Sequence, residues 1–190
     1  MLEIGIVTGS IRENRVNLDV AKWVKQLAIE QSDVEFEIVD IKDYDLPVFA
    51  EPTSPAFTDE LVEREKQLPW SKKMTEKDGY IFITPEYNHG IPSALKNALD
   101  FLYEELNDKA AGIVSYGSSG GVRSAEQLRN VLSEFQVAHV RTNPALSIFY
   151  DFDYPELKPT DAQTKTVITM IEQLIPWTEA MKGVREKKQA

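Results

Sequence analysis

The stretch "GYIFITPEYNHGIPSALKNALD", Gly79 to Asp100, decides how this chain folds. "GYIFIT" is a continuous run of aromatic and β-branched residues, as expected of a strand covered on both faces of a sheet. From Pro92 to Leu102 the apolar residues return at helical spacing, with Pro92 suited to the first turn. Between strand and helix stands Pro-Glu-Tyr-Asn-His-Gly. A strand-to-helix connection can be shorter, so a loop of this composition is expected to hold something.

The same strand, loop and helix pattern repeats outward from this unit. "LEIGIVT" (Leu2 to Thr8) and "AAGIVSYG" (Ala110 to Gly117) are equally apolar and belong in the middle of a sheet. "VEFEIVDI" (Val34 to Ile41) alternates apolar with acidic residues and reads as an edge strand, and "AHVRT" (Ala138 to Thr142) as a short fifth strand. Helical faces follow: Ala21, Val24, Leu27 and Ala28 fall on one side of the first helix. A second helix is expected from about Thr58, with Pro69 kinking it or starting another. Further helices follow "GSSGG" and span Asp161 to Met181, before a fraying end "VREKKQA". Tyr44 to Phe57 carries three prolines and large apolar residues, so it reads as a long loop packed on an unidentified partner. The reading is an α/β three-layer sandwich: a five-stranded parallel sheet in the order 2-1-3-4-5 between two helical layers. One domain spans residues 1–182, with a charged tail over 183–190.

Composition narrows the function. The chain has 190 residues, 42% of them hydrophobic, enough for one sizeable core. A formal net charge of -10 argues against a nucleic-acid partner, whose affinity comes from concentrated Lys and Arg. With no cysteine there is no disulfide framework and no thiolate metal site, which fits a reducing cytoplasmic location. No apolar stretch approaches membrane-spanning length and no leader is visible, so no membrane partner is expected.

In a 2-1-3-4-5 sheet, ligands sit beyond the carboxyl ends of the strands where the winding reverses between strands one and three. Three loops meet there: Gly9 to Asn17, Pro85 to Ile91, and Gly117 to Gly121. In the first, Ser10, Arg12 and Arg15 offer donors for an anion, the following helix presents free N–H groups, and Asn14 tolerates a left-handed turn. The competing reading is an ordinary polar loop with two exposed arginines. The loop has neither the three glycines of a dinucleotide fingerprint nor the Gly-Lys-Ser/Thr of a P-loop. Asp40, placed like a ribose-binding acid, is therefore expected to be a solvated strand end. The glycines of "GSSGG" permit close backbone approach to a flat ligand, or simply a flexible turn. A receiver domain shares the sheet order but needs clustered acids where this chain has Thr8-Gly9-Ser10.

At these loops the sequence resembles the NADPH-dependent FMN reductase family of flavodoxin-like quinone and azo-dye reductases. Gly9, Ser10 and Arg12 match its Gly-Ser-x-Arg, and Pro85 to Asn88, Pro92, Leu95 to Ala98 and Asp100 match its central motif. Gly120, Gly121 and Arg123 match its Gly-Gly-x-Arg. The likeness runs from Leu2 to about Trp177, and Gly90 replaces a frequent Ser. The resemblance implies an FMN cofactor with NAD(P)H as co-substrate and a small-molecule electron acceptor, used in turn at one site. It places Ser10, Arg12, Arg15, Val16 and Asn17 at the phosphate and Pro85, Glu86, Tyr87 and Asn88 beside the flavin ring. Tyr116, Gly117, Ser118, Gly120 and Gly121 fall near the pyrimidine edge. No catalytic side chain and no metal are implied. Glu86 otherwise reads as an exposed loop carboxylate and His89 as structural or solvated. A homodimer or homotetramer is expected, because Phe101, Leu102 and Tyr103 exceed what one helix face buries. The alternatives are a flavodoxin-like electron carrier and a flavin-sensing regulator, both without turnover.

Overall fold

The apolar runs become the middle of a parallel sheet. A computed structural model of the chain describes residues 1–32, 34–58 and 60–189. In it β1 (Glu3–Thr8), β3 (Gly79–Pro85) and β4 (Ala110–Gly117) lie side by side, and every residue of β3 is buried. β2 (Glu35–Val39) flanks β1 and β5 (Ala138–His139) flanks β4, giving the order β2-β1-β3-β4-β5 with all pairs parallel. Such neighbours need crossovers, and five α-helices follow the strands among the described residues. α1 (Asn17–Gln31) and α5 (Asp161–Gln189) cover one face of the sheet. α2 (Arg64–Glu76), α3 (Ser93–Asp100) and α4 (Val122–Glu134) cover the other. Ala21, Val24 and Ala28 are fully buried, as their spacing predicts.

Several expectations are corrected. The edge beyond β4 comes in two pieces, β5 and β6 (Ala145–Ser147), so the sheet has six strands rather than five. Where the backbone leaves the ladder, the Asn143 side chain donates to Ile113 O at 2.9 Å, and Ser115 N donates to Pro144 O at 2.9 Å. A small antiparallel hairpin, β7 (Phe152–Asp153) and β8 (Glu156–Leu157), follows. α2 starts at Arg64, not near Thr58, because the Glu51 carboxylate accepts from Val62 N at 2.7 Å and Glu63 N at 3.0 Å just ahead of it. Pro69 lies inside that one helix, and Pro92 stands just before α3 as its N-cap.

The last helix does not stop at Met181 and the charged end does not fray. α5 runs to Gln189, since Arg185 reaches Asp78 and the carbonyl of Asp108, both at 2.8 Å. The long loop finds its partners within the chain: Tyr44 packs on Trp70 and Phe49 on Phe101, each with ring centroids 5.0 Å apart. Phe101 and Leu102 are buried in the α2–α4 core and Tyr103 packs on Phe135, so the apolar surplus that argued for chain pairing is absorbed by the monomer. No helix among the described residues is long and apolar enough to cross a membrane.

Candidate functional site

Beyond the carboxyl ends of β1, β3 and β4 the three loops converge. β1 ends at Thr8, whose hydroxyl donates to Asp40 at 2.8 Å and accepts from Ile41 N at 3.2 Å. Asp40 also holds the Arg15 guanidinium in an ion pair that is mostly buried. It is thus a pinned carboxylate rather than a solvated strand end. Arg15 stands at the rim with its charge compensated, and its Nε is buried with no protein partner. Asn17 is fully buried, accepting from Gly9 N at 2.9 Å and donating to Ile83 O at 3.0 Å. Its amide is a brace between β1 and β3, so only its backbone is left to meet an anion.

α1 begins at Asn17 after Val16, and no side chain caps it. Asp19 N donates to Val16 O at 3.1 Å, while the helix start has no side-chain acceptor and carries the positive end of the helix dipole. Ser10 is almost entirely buried and shares a 2.7 Å hydrogen bond with the Tyr87 hydroxyl. Arg12 is exposed and stacks over the Tyr87 ring, 5.6 Å from its centroid. Asn14 adopts φ 52, the left-handed turn expected of it. The hydroxyl, an exposed guanidinium with no acidic partner among the described residues, an uncapped helix start and the orphaned Arg15 Nε form a donor set suited to a phosphate.

The second loop is a tight hairpin. Tyr87 and Gly90 exchange two 3.0 Å backbone hydrogen bonds around Asn88 and His89, whose φ values are 51 and 66. Two successive left-handed residues are what a type I′ turn requires. Asn accepts that conformation; His does so at a cost. A residue the sequence reading missed holds the turn: from α4, Gln127 accepts from Ile91 N and donates to His89 O, each at 3.2 Å. A Cβ on Gly90 would stand 2.8 Å from Gln127 Oε1, so any larger residue there needs the Gln127 amide to shift. Arg123 and Gln127 are four residues apart on α4 and so share a face, a sequence signal that could have found this role.

Glu86 is not an exposed loop carboxylate. Its side chain is 7% exposed and accepts from Arg123 N at 3.0 Å and Arg123 Nη1 at 2.8 Å. Burial works to raise its carboxyl, and the bonds from Arg123 outweigh that and leave it below the usual range. The pair ties the β3 loop to the start of α4. Pro85 is buried, and its carbonyl accepts from Ser124 Oγ at 2.9 Å. Asn88 and His89 lie exposed at the tip.

In the third loop, Gly120 and Gly121 take φ 72 and 71, and a Cβ on Gly121 would strike Tyr116 N and O at 2.7 Å. Only glycine lets the chain fold back so closely on the end of β4. Ser115 Oγ fixes the turn through Gly120 O at 2.7 Å, while Ser118 stays exposed beside the half-buried Gly117. Tyr116 is buried under Phe152, ring centroids 6.0 Å apart, and burial pushes its phenol up, so it stays protonated. The Glu86–Arg123 clasp thus ties the second loop to the helix that follows the third, beside the phosphate-type donor set. That arrangement fits a flat phosphorylated cofactor such as FMN. No cluster of His, Asp or Glu among the described residues is arranged to hold a metal.

Known proteins agree. The family model for NADPH-dependent FMN reductase matches residues 2–151. The NAD(P)H-dependent FMN reductase of Schizosaccharomyces pombe is 37% identical over 146 residues, 77% of this chain and 73% of that one. The quinone reductase of Escherichia coli K12 is 32% identical over 139 residues, 69% of each chain. Among solved structures, the flavoenzyme NAD(P)H:(acceptor) oxidoreductase FerB from Paracoccus denitrificans superposes with a TM-score of 0.72 at 20% identity, covering 95% of this chain and 99% of that one. A short-chain flavodoxin shares the fold at a TM-score of 0.61 and 13% identity, covering 94% and 99%. The chain belongs to the NADPH-dependent FMN reductase family.

Proposed function

We propose that this reductase works by a two-step exchange at a single site: NAD(P)H binds, is oxidised and leaves, and a quinone, free flavin or azo-type acceptor then takes its place. The net reaction with a quinone is NAD(P)H plus quinone plus a proton giving NAD(P)⁺ plus hydroquinone. When bound, FMN supplies the two-electron redox centre between the two half-reactions. The observation that carries the reading is the meeting of Ser10, Arg12 and the uncapped start of α1 with the 87–90 hairpin and the 117–121 loop at the winding reversal.

The chain's own residues bind and orient. Arg12 and the α1 N–H groups offset the phosphate charge in a protein of net charge -10, and Ser10 adds a hydroxyl. The Glu86–Arg123 clasp fixes the spacing of the two loops that border the ring slot. No side chain is asked to transfer a proton: Glu86 is engaged by Arg123, Tyr87 by Ser10, and Tyr116 is a buried phenol. Initial rates with NAD(P)H and a quinone both varied should give parallel double-reciprocal lines. Converging lines would show a ternary complex and refute single-site exchange. An FMN-loaded protein that NAD(P)H cannot bleach would instead favour an electron carrier.

A further inference from the structure

A second cavity, of about 490 Å³, adjoins the phosphate-type loop on the α3 side of the sheet. Its walls are Ile11, Ile41, Leu46, Val48, Ala94 and Ala98. Ile11 stands between Ser10 and Arg12, so one residue of the site loop forms a wall of this cavity. The long loop after β2 provides the opposite side, held in place by Asn97. That amide accepts from Phe49 N and donates to Pro47 O, both at 2.7 Å. Lys42, the one cation in the lining, is engaged by Glu13 at 2.7 Å. Lys42 and Asn97 are thus engaged, the exposed Asp45 and Ser93 complete the lining, and apolar side chains make up most of the walls.

The small side chains of Ala94 and Ala98 on α3 make the depth, while Val48 (84% exposed) and Ile11 (48% exposed) form an apolar lip. Apolar lips left in water mark a surface that something covers. The cavity lies between the loop assigned to the phosphate and the first turn of α3, the helix that follows the 85–91 loop, and no residue of the 85–91 or 117–121 loops is in its lining. It is placed for an arm of a substrate rather than for its reacting centre.

We propose that this cavity is a subsite for the aliphatic substituent of the electron acceptor, so that alkyl-substituted quinones are preferred over bare ones. The inference rests on the reductase reading above. Its continuity with the site through Ile11, its mostly apolar walls and its size favour a hydrocarbon arm, with the negative charge of Asp45 unfavourable to an anionic ligand. Each methylene taken from water into the cavity raises kcat/KM about fourfold until the space is filled.

The test uses the FMN-loaded protein with 1,4-benzoquinone and its 2-alkyl derivatives from methyl to hexyl. The expected result is a kcat/KM that climbs about fourfold per methylene over the first members of the series. That climb should flatten in Val48→Asp, an exposed position whose replacement is safe for folding, and in Ala94→Phe, which fills the cavity. Titration calorimetry of alkylhydroquinones on flavin-free protein reads the cavity independently of turnover. Affinity rising with chain length there, with a negative heat-capacity change that Val48→Asp removes, supports the subsite even if the reductase reading fails. A chain-length response that is flat in the parent protein in both assays overturns the subsite while leaving reductase activity in place. If sedimentation shows that Val48→Asp splits a dimer while the chain-length response persists, the lip is a contact with a second copy and the proposal is overturned.

Discussion

Replacing Gln127 by Ala should uncouple the hairpin that borders the proposed ring slot. The side chain makes two hydrogen bonds of 3.2 Å, to Ile91 N and His89 O, at a partly solvated position. At about 0.5–1 kcal/mol each their loss costs about 1–2 kcal/mol, or roughly 2–8 °C in Tm for a chain of this size. The structure supplies a stricter check. A methyl on Gly90 would stand 2.8 Å from Gln127 Oε1 and 3.5 Å from Nε2, so Gly90→Ala must displace the amide end of that flexible side chain and so strain its two bonds. Gly90→Ala should therefore cost at most the same roughly 1–2 kcal/mol in the parent and nearly nothing in the Gln127→Ala background. The coupling free energy then equals the whole single-variant effect. Urea denaturation followed by tryptophan fluorescence measures all four corners of the cycle, and FMN titration of the same proteins shows whether the loosened hairpin also weakens the cofactor. Additive costs for Gly90→Ala and Gln127→Ala would refute the argument, since they would mean that the two residues do not meet. His89→Gly in the same assay should gain about 0.5–1 kcal/mol, as left-handed strain is released against the added chain entropy of glycine.

Arg12→Gln should weaken FMN binding about tenfold to a hundredfold, the loss of one charge-assisted contact, and leave riboflavin, which has no phosphate, unaffected; equal losses for both would remove Arg12 from the phosphate. Lys109 donates to Met74 O at 2.8 Å, Thr75 O at 2.9 Å and the Tyr80 hydroxyl at 3.0 Å, yet burial, followed by the Arg185 charge, pushes it down to about 7. Between that value and its unfolded pKa of about 10.4 the folded chain binds fewer protons, so stability should rise with pH by up to about 1.4 kcal/mol per unit. Lys109→Met should lose this rise, and parallel pH profiles would contradict it. Deleting residues 184–190 removes the Arg185 bonds to Asp78 and Asp108 O, both 2.8 Å and largely shielded from water, and should cost about 1–3 kcal/mol. Partial burial of Asp78 works to raise its pKa, but Lys182, the Glu3 backbone N–H and the Arg185 charge hold it below the usual range. Its contribution is thus present above the unfolded pKa and lost as pH falls through the folded one, so the deletion penalty should shrink in acid. An unchanged melt at neutral pH would show that the charged end frays and anchors nothing.

Much of this arrangement was legible in the residues. The continuous apolar runs of β1, β3 and β4, the alternation in β2 and the helical spacing of Ala21, Val24 and Ala28 are local patterns, and local patterns choose between strand and helix. Together with the crossover rule they lead to the β2-β1-β3-β4 order and hence to three loops at one rim. The left-handed Asn14 and the glycine turn at 120–121 were readable too, because backbone demands act on single residues.

Side-chain partnership was not readable, because it joins residues far apart in sequence through positions fixed only when the layers pack. Asp40 carries the same sequence context whether it faces water or, as here, holds Arg15. Glu86 becomes a buried clasp only because α4 brings Arg123 to it across 37 positions. The Phe101–Leu102 pair read as surplus until Phe49 and the α2 core covered it, and the charged end read as a fraying tail until Asp78 and Asp108 held it. Sequence determined which segments are strands and helices and where their loops must gather, since hydrophobic period and backbone preference are properties of neighbouring residues. Tertiary structure alone decided which charges are free to meet an anion, because burial and a partner's position set the cost of each charge.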